Sequence, residues 1–216
     1  MELYSYFRSS AAYRIRIALG IKGLEHKIVP VNLTTGQQRG EDYLKNNPQG
    51  LVPALTLESG ETLAQSSAIL EWLEEAHPDP SLYPQNLISK AQHRALCQHI
   101  ACDIHPLNNL RVLRYLSGTL KQEKTQVDDW YAHWIHQGFI AIEIALGDLE
   151  TEFSLGNNPG MLEVFLIPQV YNAYRFKVDL SPFPRIVTLD SHCQKLAVFA
   201  KAHPSCQVDS PVEERP

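Results

Sequence analysis

The chain has 216 residues, of which 44% are hydrophobic and 20% are charged, and its formal net charge is −5. These values are typical of a globular protein with a packed core and exclude global disorder. Acidic residues outnumber basic ones by 24 to 19, and no basic tract is long enough to follow a phosphate backbone, so nucleic acid is not an expected partner. The N-terminus lacks the basic segment and the long apolar segment of a secretion signal, and no apolar run is long enough to span a membrane. We therefore expect a soluble, cytoplasmic protein.

The first 80 residues predict alternating strands and helices. Apolar periodicity and turn residues place them in the order strand, helix, strand, helix, hairpin, helix, over residues 3–7, 11–19, 27–33, 41–45, 54–64 and 66–77. A mixed sheet with helices in this order is typical of a thioredoxin-like domain.

A proline-rich stretch, HPDPSLYP, follows these elements and predicts a linker. The remaining chain shows mainly helical spacing. We therefore predict an α/β domain over residues 1–80, a linker over 81–86 and an all-α domain over 87–216.

Two cysteines and two histidines lie close together in the stretch CQHIACDIH: Cys97, His99, Cys102 and His105. A tetrahedral zinc site needs well-separated ligand pairs, and one straight helix does not readily supply them. The spacing favours an ordinary helix with small core thiols, and we expect no metal.

Ser9 and Ser10 lie between the first predicted strand and the helix that follows it. The first N–H groups of a helix lack intrahelical partners, and the helix dipole favours an anion there, so this turn suits a thiolate or a phosphate. The alternative is that one serine merely caps the helix. Capping leaves the second hydroxyl unexplained.

Two further features resemble parts of a peptide-binding site. The Val52-Pro53 pair precedes a strand, where a proline belongs at an edge or turn. Gln65 and Ser66 stand at another predicted helix N-terminus, which can receive a carboxylate through N–H groups and a hydroxyl. Together the two termini and the edge proline suggest an extended peptide ligand that carries a thiol and carboxylates.

Several motifs resemble the zeta class of glutathione transferases, in register over nearly the whole chain: SSAAYRIRIALGIKG, NPQGLVPAL, AQSSAILEWLEE, HPLNNLRVL and IPQVYNAYRFKVDLSPFPRI. The resemblance implies glutathione as cofactor, a thioredoxin-like domain followed by a helical domain, a cis proline at Pro53 and a homodimer. It also implies glutathione-dependent cis–trans isomerisation of a small acidic substrate, maleylacetoacetate, to fumarylacetoacetate.

The resemblance also implies roles for individual residues. Ser9 is the expected thiolate-activating hydroxyl, with Ser10 beside it, and Arg8 and Arg175 are the expected cations for the acidic substrate. The expected glutathione-binding residues are Ser9, Ser10, Gln38, Val52, Pro53, Gln65, Ser66, His105, Asn109, Leu110 and Arg111.

The chain departs from the family pattern at several positions. Ala11 stands where the family has a cysteine, and His105 and Arg111 replace uncharged polar residues. The added cation at Arg111 could favour a second substrate carboxylate, or it could lie on a solvated helix face. Gly160 replaces a Thr or Ser helix cap, so restoring threonine there is predicted to raise the melting temperature.

Three other activities remain open at this point. Maleylpyruvate isomerisation uses the same chemistry on another acid, and Arg111 could favour it. Glutathione conjugation or dehalogenation of small α-halo acids is a second alternative. A non-catalytic glutathione-binding protein is the third; Ala11 favours it, whereas Arg8 and both serines argue against it.

Overall fold

The computed structural model describes residues 1–148 and 151–215, and the chain divides into two compact units. The first unit comprises Met1–Ser81 together with the chain from Gln194 onward, and the second comprises Leu82–Cys193. None of the helices in the described ranges is long and apolar enough to cross a membrane.

The first unit is built on a four-stranded sheet in the order β2-β1-β3-β4. The strands cover Glu2–Ser5, Lys27–Pro30, Ala54–Thr56 and Thr62–Ala64 for β1 to β4. β1 pairs in parallel with β2, and the other two pairings are antiparallel. With helices α1 (Ser10–Ile21), α2 (Glu41–Asn46) and α3 (Ser66–Ala76), this sheet confirms the predicted thioredoxin-like fold.

Helix α1 is the centre of the first unit, because every residue from Ser10 to Leu19 is buried. Its buried arginine Arg16 is fully engaged: it donates to Ser5 Oγ at 3.0 Å, to the Phe7 carbonyl at 3.1 Å and to the Ala202 carbonyl at 2.9 Å. A buried cation is tolerated when its donors find such acceptors.

The last part of the chain packs on α1. Helix α9 (Ala197–Ala202) approaches so closely that a Cβ added at Gly20 would lie 2.5 Å from Cγ2 of Val198. The sequence had assigned residues 87–216 to one helical domain, whereas the structure groups the chain from Gln194 with the first unit. The physical reason is that α9 covers α1 and supplies an acceptor to Arg16.

A buried lysine fastens the end of α3 to α1. Lys22 Nζ donates to the His77 carbonyl at 2.7 Å and to the Pro80 carbonyl at 3.0 Å, and it pairs with Glu74 Oε1 at 2.6 Å. Its side chain is completely buried. The Asp79-Pro80 bond is cis, as is Val52-Pro53, which the family resemblance had implied.

The second unit is helical, as predicted. Its helices α4 to α8 cover Leu87–Gln98, Leu110–Arg114, Lys124–Ala145, Met161–Arg175 and Pro184–Gln194. Helix α7 forms the core of this unit, because its residues from Met161 to Val170 are all buried. A mainly apolar helix is typically buried in this way, although α7 also buries the polar side chains Glu163 and Gln169.

The segment with the cysteine and histidine cluster is not one regular α-helix. Helix α4 ends at Gln98 and a π-helical turn, His99–Ile104, continues it. The His99 ring faces Asp103 Oδ2 at 3.0 Å and the Gly138 carbonyl at 3.1 Å. Within the described ranges, no group of three or more His, Cys, Asp or Glu side chains is placed to hold a metal ion.

Packing leaves little room for a side chain at position 160. Gly160 precedes α7 with extended backbone angles that any residue can adopt. An added Cβ would nevertheless lie 2.6 Å from Leu155 Cγ and 3.0 Å from the Leu82 carbonyl. The structure confirms Gly160 as the cap of α7, but because the space for a larger side chain is filled, we now expect threonine there to lower the stability, the opposite of the sequence-based prediction.

Candidate active site

Ser9 caps helix α1. Its backbone is extended, and its Oγ accepts a hydrogen bond from the Ala12 N–H at 3.2 Å. Since a hydroxyl has one proton and two lone pairs, accepting this bond leaves the proton available for donation. The capping alternative and the anion-binding role are therefore compatible in one side chain.

The two serines differ in exposure. Ser10 is 4% exposed and forms the first turn of α1, whereas Ser9 is only partly buried. Ala11, at the position of the family's cysteine, is also buried. Ser9 is therefore the better placed of the two hydroxyls to meet a ligand from solvent.

The turn before Pro53 is fixed by two side chains that sequence reasoning missed. The Tyr43 hydroxyl and the Asn47 side-chain amide both donate to the Leu51 carbonyl, the latter at 2.8 Å. Burial raises the pKa of Tyr43 to about 12, so its hydroxyl keeps its proton at neutral pH. This bracing holds Val52 and Pro53, both buried, directly before β3, an interior strand that pairs with β1 and β4.

Gln65 and Ser66 lie at the N-terminus of α3, as predicted. Gln65 has φ 68° and ψ 118°, a conformation that non-glycine residues rarely adopt. Its side-chain amide donates to Gln49 Oε1 at 2.6 Å. The Ser66 Oγ accepts a bond of 3.2 Å from the buried Arg14 Nη1, so its own proton can be donated elsewhere.

Gln38 belongs to the same neighbourhood. It is buried in the 3-10 turn Gln37–Arg39, and a Cβ added at Gly50 would lie 3.2 Å from its carbonyl oxygen. In the part of the chain that the structure describes, its side-chain Oε1 is buried without a hydrogen-bond partner. Gly50, which lies against Gln38, precedes Val52 by two residues in the chain. The neighbouring Gln49 accepts the hydrogen bond from Gln65.

Arg8 precedes Ser9 and is also in the first unit. Its guanidinium carbon lies 4.9 Å from the centroid of the Phe7 ring, and its Nη2 donates to Glu214 Oε1. Sequence reasoning had no means of pairing Arg8 with a residue near the other end of the chain.

Four predicted residues lie together around the start of α5 in the second unit. Asn109 caps this helix, accepting a bond from the Arg111 N–H at 3.1 Å, and Leu110 and Arg111 are exposed. His105 is partly buried at the end of the π-helical turn. The preceding loop is held because Trp130 Nε1 donates to the Leu107 carbonyl at 2.9 Å.

Arg175 is the last residue of α7. It is exposed, and its guanidinium carbon lies 4.5 Å from the Phe176 ring centroid. The Phe176 ring in turn stacks on Tyr131 with a centroid separation of 3.8 Å. Burial raises the pKa of Tyr131 and keeps its hydroxyl neutral, although the nearby Arg175 charge opposes that rise.

The chain belongs to the glutathione transferases. The sequence model of the glutathione S-transferase N-terminal domain matches residues 8–76, a range that includes Ser9, Gln38, Val52 and Gln65. A solved structure of maleylpyruvate isomerase, described as a bacterial glutathione S-transferase of the zeta class, superposes with a TM-score of 0.94. That structure is 39% identical, and the match covers 98% of this chain and 100% of the other.

More narrowly, the chain groups with the zeta-class isomerases. It is 43% identical to maleylacetoacetate isomerase of Pseudomonas aeruginosa, over 98% of this chain and 99% of the relative. A structure of maleylacetoacetate isomerase from Methylobacterium extorquens with bound malonate and glutathione is 32% identical, with a TM-score of 0.93 over 98% of this chain and all of the other. The family predicted from the motifs is thereby confirmed.

Proposed function

We propose that the protein is a glutathione-dependent cis–trans isomerase that converts maleylacetoacetate to fumarylacetoacetate. The carrying observation is the Ser9 hydroxyl, which caps the buried helix α1 and still has a proton to donate. End-to-end similarity to maleylacetoacetate isomerases supports the proposal, as does the glutathione bound in a related structure.

The residues of the first unit fit glutathione. The Ser9 and Ser66 hydroxyls each have a proton available, and the buried Gln38 Oε1, without a hydrogen-bond partner among the described residues, can accept a bond. The braced turn before Pro53 presents the backbone of Val52, as an edge strand does to a peptide. Ser10, Pro53, Gln65, His105, Asn109, Leu110 and Arg111 complete the proposed cofactor contacts.

Glutathione, when bound, supplies a thiol whose addition to the cis double bond allows rotation before the sulfur leaves and the trans bond forms. A free thiol with a pKa of about 8.5 is only a few per cent ionised at neutral pH. Donation from Ser9 and the N-terminal dipole of α1 stabilise the anion, and each pKa unit corresponds to about 1.36 kcal/mol.

The acidic substrate needs cations. We assign its carboxylates to the two cations that the family resemblance implies, Arg8 and Arg175, with Arg111 as a further cation. Guanidinium groups bind carboxylates through two parallel hydrogen bonds, which also fix orientation. Negative charge that develops on the substrate carbonyl during addition is stabilised by the same cations.

The domain roles follow from these assignments. Residues 1–80 are the proposed glutathione-binding domain and residues 81–86 a linker, and we assign the substrate site to the helical part within residues 87–193. We further propose a cytoplasmic homodimer on the basis of the family resemblance. Sedimentation equilibrium tests the dimer, and a monomer at micromolar concentration would contradict it.

Turnover of maleylacetoacetate and maleylpyruvate, each with glutathione or with S-methylglutathione, tests the proposed reaction. S-methylglutathione has the same peptide but lacks a nucleophilic thiol, so only glutathione should support isomerisation. Faster turnover of maleylpyruvate would assign the alternative substrate, to which the zeta-class neighbour points. Binding of both peptides without turnover of either acid would contradict the proposal.

A further inference from the structure

The C-terminal tail, defined as residues 207–215, folds against the segment that leads into the proposed site. Asp209 Oδ2 accepts a hydrogen bond from the Phe7 backbone N–H at 2.9 Å. The next residue, Arg8, donates from Nη2 to Glu214 Oε1. The tail therefore contacts both residues that immediately precede Ser9.

Glu214 is held in place by structure within the tail. Its N–H donates to the Pro211 carbonyl at 3.0 Å, which closes a turn. The adjacent Arg215 donates from Nε and Nη2 to the Ser210 carbonyl, at 3.0 and 2.8 Å. A closed turn therefore presents the Glu214 carboxylate to Arg8.

The Arg8 guanidinium is only partly satisfied by this contact. The Arg8 and Glu214 side chains are 34% and 36% exposed, so the pair is accessible to solvent and to ligands. Glu214 engages Nη2 through a single oxygen, whereas Nε is buried and has no hydrogen-bond partner within the described residues. Because Nε and Nη2 share one edge of the guanidinium, an incoming carboxylate could bind both.

We propose that Glu214 is an internal competitor for the substrate carboxylate at Arg8. The inference rests on the proposed substrate-binding role of Arg8. A substrate carboxylate that binds both Nε and Nη2 must displace Glu214, so the pair raises the concentration of acid needed to fill the site. Weakly bound anions do not displace it, whereas an acid with further contacts does, and Glu214 thus helps to determine which acids bind.

Malonate titration by calorimetry tests this role in the glutathione-loaded protein, because malonate is the small dicarboxylate bound in a related structure. Glu213→Gln is the matched control, since Glu213 is an exposed neighbour with the same charge. Glu214→Gln should tighten malonate binding about two- to fivefold, the range for a partly exposed ion pair. It should lower the KM for maleylacetoacetate by a similar factor with little change in kcat, and Glu213→Gln should change both much less.

Three outcomes would overturn the inference. Equal effects of the two glutamine variants would indicate a general charge effect, and weaker malonate binding in Glu214→Gln would indicate that Glu214 supports Arg8. Unchanged malonate binding in Arg8→Gln would remove Arg8 from the substrate site, and the inference with it. By contrast, the predicted malonate response without any isomerase turnover would support the inference and contradict the proposed reaction.

Discussion

At the residue scale, Ser9 combines a structural and a chemical role. Its oxygen accepts a hydrogen bond from the Ala12 N–H, and its proton remains available to donate a hydrogen bond to a ligand thiolate. Both roles depend on the hydroxyl, so removing it affects stability and activity together. The two effects can be separated because capping is a property of the free protein, whereas thiol activation appears only with glutathione bound.

Ser9→Ala is expected to lower kcat far more than it raises the KM for glutathione. In the wild-type protein we expect the pKa of the bound thiol to lie one or two units below its free value of about 8.5. If the substitution restores the free value, the thiolate fraction at neutral pH falls about eightfold in the first case and about twenty-five-fold in the second. Loss of the cap should also lower stability by about 0.5–2 kcal/mol. Ser9→Thr keeps a hydroxyl and serves as the control. Titration of the bound thiolate by its ultraviolet absorbance measures the pKa. A variant that mainly raises the KM for glutathione would show that Ser9 binds glutathione without activating its thiol.

Lys22 shows how burial changes the value of an ion pair. Lys22→Met leaves Glu74, whose side chain is 10% exposed, without its buried cation and should cost about 3–5 kcal/mol of unfolding free energy. Lys27→Met is the control, because Lys27 and Glu2 form a pair of 3.0 Å with side chains 73% and 43% exposed. That exposed pair should contribute at most about 1 kcal/mol. Similar denaturation midpoints for the two variants would contradict this assignment.

At the scale of elements, the N-terminus of α7 is held by a buried carboxyl group. Glu163 is completely buried and accepts bonds from the Ser154 N–H at 2.6 Å, the Ser154 hydroxyl at 2.5 Å and the Gly160 N–H at 2.7 Å. The preceding loop is thereby fastened to the central helix of the second unit.

Glu163→Gln should change how stability depends on pH. Burial raises the pKa of Glu163 above its usual 4.5, and the Ser154 and Gly160 donors only partly offset that rise. The folded state therefore holds this proton at pH values where the unfolded chain has lost it, so the contribution of Glu163 is largest below pH 4.5 and is lost as pH rises through the folded pKa. The variant should remove this slope from melting temperatures measured against pH. Parallel curves for the two proteins would show that Glu163 does not titrate in this range.

Gly160→Thr should lower the melting temperature. The added Cβ forces Leu155 to move, and overpacking of this kind costs about 1–3 kcal/mol. Gly118→Ala is the control, because a Cβ at Gly118 meets nothing within 4 Å. A more stable threonine variant would show that Leu155 can rearrange without cost and that capping dominates.

At the scale of the whole molecule, the strands and helices of the first unit could be predicted where the local spacing of apolar residues determines them. The spacing predicted a helix over 11–19, and α1 covers Ser10–Ile21. The predicted strand over 27–33 ends earlier, at Pro30, which has no N–H to donate to a sheet ladder. The strand predicted over residues 3–7 also ends earlier, at Ser5, because the chain turns where the Ser9 N–H donates to the Tyr6 carbonyl.

Long-range contacts could not be predicted from pattern. The packing of α9 on α1 depends on the buried Arg16, although an arginine in a helix ordinarily suggests a solvated face. The same holds for Arg14 beneath Ser66 and for Glu214 opposite Arg8, since each pair is separated by 52 or more residues. The motif resemblance predicted the site residues, whereas the side chains that support them became visible only in the structure.

The most direct test of the central claim is product formed per molecule of glutathione. Excess maleylacetoacetate is incubated with the protein and a limiting amount of glutathione, and nuclear magnetic resonance follows both compounds. We predict that many molecules of fumarylacetoacetate form for each glutathione, which is recovered as the free thiol. Product that stops at one equivalent with a conjugate accumulating, or an equal rate without glutathione, would contradict the account.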